Sequence, residues 1–188
     1  FLILISSCMF IKQKLPILFL STYGFSVVGV YEVVRNITEV VLMPFRPISE
    51  TLLTYFVQSR DVAKRLKIII SFGLFGLLTS SIFLILLRFI FDIFNIGEFY
   101  TRSISLALFM FVLATIALVP LNAILLSTKL YKYELTVKIV PAIFFILILF
   151  VYKSSNIETI FTFIAVTTWF ELLIAVSILV YKRYDYDI

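Results

Sequence analysis

The chain has 188 residues, 62% of them hydrophobic and 14% charged, with a mean hydropathy of +1.14 and a formal net charge of +5. A soluble domain of this size is nearer a quarter charged and under half apolar, and here the apolar residues spread along the whole length, which excludes a soluble domain on a single anchor. With no His and one Cys, the usual zinc and haem ligand sets, a disulfide framework and histidine acid–base chemistry are excluded as well.

Backbone groups in lipid must be satisfied within helices or a closed barrel. Barrel strands alternate over about ten residues, and a run such as IIISFGLFGLLTSSIFLILL (68–87) does not alternate. The expected fold class is an all-α polytopic membrane protein with six transmembrane helices, at about 1–20, 28–56, 67–91, 102–127, 134–152 and 157–181. Each is long enough for the hydrocarbon core with tilt.

The first helix carries Lys12, Gln13 and Lys14 at its middle. The alternative, a loop at 12–14 and a helix starting at Leu15, would shift the parity of every later span. On one helix, Lys12 and Lys14 lie roughly 200° apart, so both cannot point into one lumen. One is expected to face a cavity and the other to snorkel or lie against a neighbouring helix. Gln13 aligns with Ser6 on another face, and Cys8 reads as a small apolar residue.

The second span holds the most unusual pattern. Glu32, Arg35, Glu39, Arg46 and Glu50 fall within roughly 60° on an ideal helix, with Asn36 and Met43 beside them. Ionisable groups at membrane depth usually face a bundle interior or a wet cavity. Glu32–Arg35, Arg35–Glu39 and Arg46–Glu50 have the i,i+3 or i,i+4 spacing of neighbouring positions. Two readings fit: a self-neutralising ladder, or a cavity wall whose arginines can leave their carboxylates for an anionic ligand. Arg suits phosphate because its planar fork binds two oxygens. Pro44 and Pro47 lie between the charged clusters and are expected to kink the helix, as a static bend or as a hinge.

Along the remaining spans, Arg88 and Asp92 form an i,i+4 pair expected to be structural. Pro120 with Asn122, and Pro141, mark irregularities in the fourth and fifth helices. Glu171 sits mid-span in the sixth, near Trp169, where a lone carboxylate must be protonated, paired or wet. Proton coupling and pairing with a cation across the bundle both remain open. No Gly-rich phosphate loop, Ser-His-Asp set or metal cluster is visible, so the chain does not read as an enzyme, and no cofactor or metal is expected.

Orientation follows from the loops. Arg60, Lys64, Arg65, Lys67, Lys129, Lys132, Lys182 and Arg183 fall on one side, with Arg102 and Lys153 on the other. The positive-inside rule puts the first group and the C-terminus in the cytoplasm, so the net charge is not the footprint of nucleic acid. The chain begins FLILISS, with neither Met nor a charged n-region. It therefore reads as a fragment lacking an N-terminal part rather than as a signal peptide.

The order of elements resembles a known family. VGVYEVVRNITEVVLMPFRPISETL (28–52), with Val28, Gly29, Tyr31, Pro47, Ile48 and Ser49, is similar to the corresponding stretch of the polysaccharide (O-antigen type) flippases of the multidrug/oligosaccharidyl-lipid/polysaccharide exporter superfamily. FDIFNIGEFYTRS (91–103), the basic turn STKLYKYE and a last helix ending in YKRY also fit. The chain departs from the pattern at SNIETIFTFIAV, where family members often carry a Gly/Ala-rich segment. The resemblance implies one lobe of a MATE-like two-lobe transporter, with the missing N-terminal lobe of the same protein as partner. It also implies flipping of undecaprenyl-pyrophosphate-linked oligosaccharide across the bacterial inner membrane by alternating access, in polysaccharide, O-antigen or lipopolysaccharide synthesis. Arg35, Arg46 and one of Lys12 or Lys14 would be the substrate-binding cations. Glu32, Glu39, Glu50 and Glu171 would be charge-pairing or coupling groups. Partners would be the lipid-linked oligosaccharide and membrane lipids. The alternatives are a drug/cation antiporter of the same superfamily, favoured by an acidic cavity, and a non-transporting scaffold or sugar polymerase, the latter disfavoured by the short outer loops.

Overall fold

A computed structural model of the chain describes residues 2–22, 24–58, 61–128, 131–152 and 156–185; side chains are described for all of these except 2–9, 13, 131, 132, 134 and 182–185. Expectations resting on Ser6, Cys8, Gln13 and the side chains of Arg60, Lys129, Lys132, Lys153, Lys182 and Arg183 fall outside the described residues.

The described residues form seven α-helices: α1 (Leu2–Ser21), α2 (Phe25–Leu42), α3 (Phe45–Gln58), α4 (Val62–Ile93), α5 (Arg102–Ser127), α6 (Tyr131–Tyr152) and α7 (Ile157–Asp185), with a 3-10 turn at Gly97–Phe99. Among the described residues, four stretches are long and apolar enough to cross a membrane: Val62–Ile93, Arg102–Ser127, Leu135–Tyr152 and Ile157–Tyr181. The chain is a helical membrane protein.

The expected second span, 28–56, is two helices rather than one. The reason lies in the prolines. Pro44 has no N–H for the Val40 carbonyl, and Pro47 has none for the Met43 carbonyl. Each freed carbonyl is recaptured one residue early: the Met43 N–H donates to Val40 at 3.3 Å, and the Arg46 N–H donates to Met43 at 3.3 Å. Two i→i−3 bonds thus supply donors to the two carbonyls that the prolines leave without one. By contrast, Pro120 and Pro141 lie inside continuous α5 and α6, so the irregularities expected there do not interrupt either helix.

Helix ends elsewhere follow local chemistry. The Asp61 carboxylate accepts from the Ala63 and Lys64 amides at 3.0 and 3.2 Å and caps α4, which therefore starts five residues earlier than expected. Those backbone hydrogen bonds hold the Asp61 carboxyl below its ordinary value. Asn95, with φ 53°, ends α4 in the left-handed region that Asn tolerates. Thr101 caps α5, its hydroxyl accepting from Ile104 at 3.2 Å.

α5 is the centre of the bundle. It carries no Asp, Glu, Lys or Arg between Ser103 and Thr128, and it packs against α2, α3, α4, α6 and α7. A helix apolar all round is the one a bundle buries. α4 touches α5 along one side only, through Gly76, where an added Cβ would lie 3.1 Å from Ile116. Its Leu74, Leu78, Ile82, Ile85 and Phe89 are exposed, as lipid-facing residues are. Arg88 and Asp92 are both exposed and form no ion pair with each other, so the structural pair expected there is not made. The side of α5 away from α4 meets α2, α6 and α7 around a cavity.

Candidate transport cavity

The cavity encloses about 380 Å³ and is walled by α1, α2, α3, α5, α6 and α7. Its floor and sides are largely apolar, with Phe111, Ile116, Phe145 and Phe161 among the contributors. Tyr31 of α2 stacks on Phe161 of α7 with ring centroids 5.4 Å apart, which fixes one wall. Outside the lining, Trp169 ties α7 to α5, its indole donating to the Met110 carbonyl at 3.0 Å. Thr115, Thr167 and Thr168 line the space but donate their hydroxyls to carbonyls of their own helices. They therefore present oxygen lone pairs inward. The Asn122 side-chain oxygen is buried without a hydrogen-bond donor.

Charge enters the cavity from two groups. The first is a chain of pairs along α2 into α3. Arg35 grips Glu32 with both terminal nitrogens, at 2.9 and 3.1 Å. Its Nε lies 3.6 Å from Glu39, and Arg46 reaches back across the helix break to Glu39 at 3.9 Å. Of these four, Arg35, Glu39 and Arg46 line the cavity.

This corrects the continuous stripe. The break ends the single angular register, so Arg46 pairs with Glu39 and not with Glu50. Among the described residues Glu50 makes no ion pair; it is exposed and lies outside the lining. Asn36 and Met43 are also exposed. Pro44 lies in the turn and Pro47 in the first turn of α3, where a missing N–H is tolerated.

The second group joins three helices. Glu171 of α7 is buried and takes Lys12 of α1 at 2.7 Å on one carboxylate oxygen. Lys138 of α6 holds the other oxygen. Of the two lysines in α1, Lys12 lines the cavity and Lys14 is exposed. Mid-span Glu171 is thus paired across the bundle, by two cations at once.

Lys138 is the functional candidate that sequence reasoning missed, although a signal for it was there. Lys138 lies fourteen residues before the end of α6 at Tyr152, and Glu171 fourteen residues after the start of α7 at Ile157. In two helices joined by a short loop, equal counts mean equal depth, about 21 Å from the turn at the helical rise. A lone carboxylate at that depth calls for a cation in the adjoining helix.

Among the described lining residues, Lys12, Arg35, Arg46 and Lys138 are cationic, against the carboxylates Glu39 and Glu171. Counting Glu32, which pairs with Arg35 from beside the cavity, the cations still exceed the carboxylates by one. Compared with known protein families, curated proteins and solved structures, the chain matches none.

Proposed function

We propose that the chain is one lobe of a transporter that moves a lipid-linked anionic oligosaccharide across the bacterial inner membrane. On this reading the ligand is of the undecaprenyl-pyrophosphate class, access alternates between the two sides, and α2 and α3 together count as one broken span of six. The C-terminus is placed in the cytoplasm on this reading, the orientation that the positive-inside rule favours. The observation that carries the proposal is the lining of the cavity: a cationic majority set in apolar and aromatic walls. Such a lining suits an amphiphile with an anionic head, since cations at membrane depth need a partner and the walls suit a hydrocarbon chain. The break at Met43–Pro44 adds support, because it lies between cavity cations Arg35 and Arg46, where a bend would change access. An acidic lining would favour a drug/cation antiporter, and the charge excess here runs the other way.

The proposal is tested in cells that make the protein, by measuring surface polysaccharide. Arg35→Ala and Arg46→Ala should abolish export while leaving membrane insertion intact. Wild-type surface polysaccharide in both variants would contradict the assignment.

A further inference from the structure

The two charged groups of the cavity differ in balance. The chain Glu32–Arg35–Glu39–Arg46 holds two cations and two carboxylates, joined pair by pair. The cluster Lys12–Glu171–Lys138 holds two cations and one carboxylate. Among the described residues, the uncompensated positive charge of the cavity therefore sits on the lysines and not on the arginines. It sits at depth, with the Glu171 side chain only 7% exposed and those of Lys138 and Lys12 15% and 23%. An excess charge in such surroundings is costly, so an anion that reaches the cluster gains much of that cost back.

The geometry also has the form of an anion seat. Each ammonium donates to a different oxygen of one carboxylate. An ammonium has three N–H donors, so one bond to Glu171 leaves donors on each lysine for a second acceptor. A phosphate presents the same kind of two-oxygen edge as a carboxylate and makes the same charge-assisted bonds. Both lysines line the cavity, so a ligand inside it can reach both.

We propose that Lys12 and Lys138 form the seat for a phosphate-class anion, and that Glu171 is its tethered internal competitor. The ligand's phosphate draws one or both ammonium groups toward the cavity. When it leaves, Glu171 takes them back, which keeps the empty site from collapsing and the loaded site from binding irreversibly. Lys138 is then a binding residue of the site, and Glu171 sets how easily the ligand departs. This rests on the transport reading above and assigns the headgroup position within it.

The test is calorimetric titration of the full chain in lipid nanodiscs, with inorganic pyrophosphate in one arm and farnesyl pyrophosphate in the other. Lys138→Gln leaves Glu171 matched one-to-one with Lys12, so its fold is expected to persist, and its affinity should fall about tenfold or more in both arms. Glu171→Gln removes the competitor and should bind several-fold more tightly. Tighter binding of farnesyl pyrophosphate than of pyrophosphate identifies a lipid-linked ligand; equal binding identifies a free phosphate compound. If Glu171 merely bolts three helices together, Glu171→Gln will lower the melting temperature without raising affinity. That result, or wild-type affinity in Lys138→Gln, overturns the seat. Should Glu171→Gln fail to fold, Lys138→Gln decides alone. Binding lost in Arg35→Ala and Arg46→Ala but unchanged in Lys138→Gln would retire the seat and keep the cationic cavity. Lysine-dependent binding in a protein that exports no polysaccharide would retire the transport reading and keep the seat.

Discussion

Glu39 of α2 and Arg46 of α3 face each other at 3.9 Å across the Met43–Pro44 break. The Arg46 side chain is 71% exposed and that of Glu39 40%, so the pair contributes about 0–1 kcal/mol to stability. Its consequence is positional: Arg46 is held at the cavity while remaining easy to release. Glu39→Gln should shift unfolding by less than about 1 kcal/mol. Export should persist, since Arg46 keeps its charge. Thermal melting beside a surface-polysaccharide assay checks both halves.

The proline break predicts a trade of function for stability. Replacing Pro44 and Pro47 with Ala restores donors for the Val40 and Met43 carbonyls and lets α2 run into α3. The double variant should melt higher and export less. The new amides at 44 and 47 should be protected from hydrogen exchange, and rapid exchange there would show that the break has another cause.

The α4–α5 contact depends on Gly76. A Cβ there would lie 3.1 Å from Ile116 Cγ2 and 3.4 Å from Leu113 Cδ1. Gly76→Ala should cost about 1 kcal/mol and Gly76→Leu about 3 kcal/mol or more, through overpacking. Melting curves of the two variants in detergent should rank in that order.

The α4 cap gives a pH signature. Bonds from Lys64 and Ala63 hold the Asp61 carboxyl below its ordinary value of 3.8. A depressed folded-state value contributes stability that is fully present above 3.8 and is lost as pH falls through the lowered value. Wild type should therefore melt higher than Asp61→Ala at pH 7, and the gap should narrow below pH 4. A gap that stays constant down to pH 2 would contradict the cap.

Much of the helical layout was legible because apolar length is a strong signal. The helix expected at 102–127 coincides with α5, and the bounds of the others agree within about five residues apart from the second; four of the described helices are long and apolar enough to span. There, angular arithmetic failed at Pro44, since a fixed turn per residue cannot survive two i→i−3 steps. That error placed Arg46 beside Glu50 when it sits beside Glu39. Lys12 could not be separated from Lys14 by sequence, because only the position of α7 decides which one meets Glu171. Lys138 follows the polar stretch 131–134 by one helical turn, and a cation so close to a helix start reads as a boundary marker. The depth match with Glu171 shows otherwise.

On the proposed function, this cavity carries an anionic head on an apolar tail. The most direct test is headgroup translocation in membrane vesicles from cells that make the protein, comparing a fluorescent polyprenyl-pyrophosphate oligosaccharide with a cationic amphiphile of similar size. The expected result is protein-dependent movement of the pyrophosphate lipid, abolished by Arg35→Ala and Lys138→Gln, and no movement of the cation. Movement of the cation with none of the pyrophosphate lipid would contradict it.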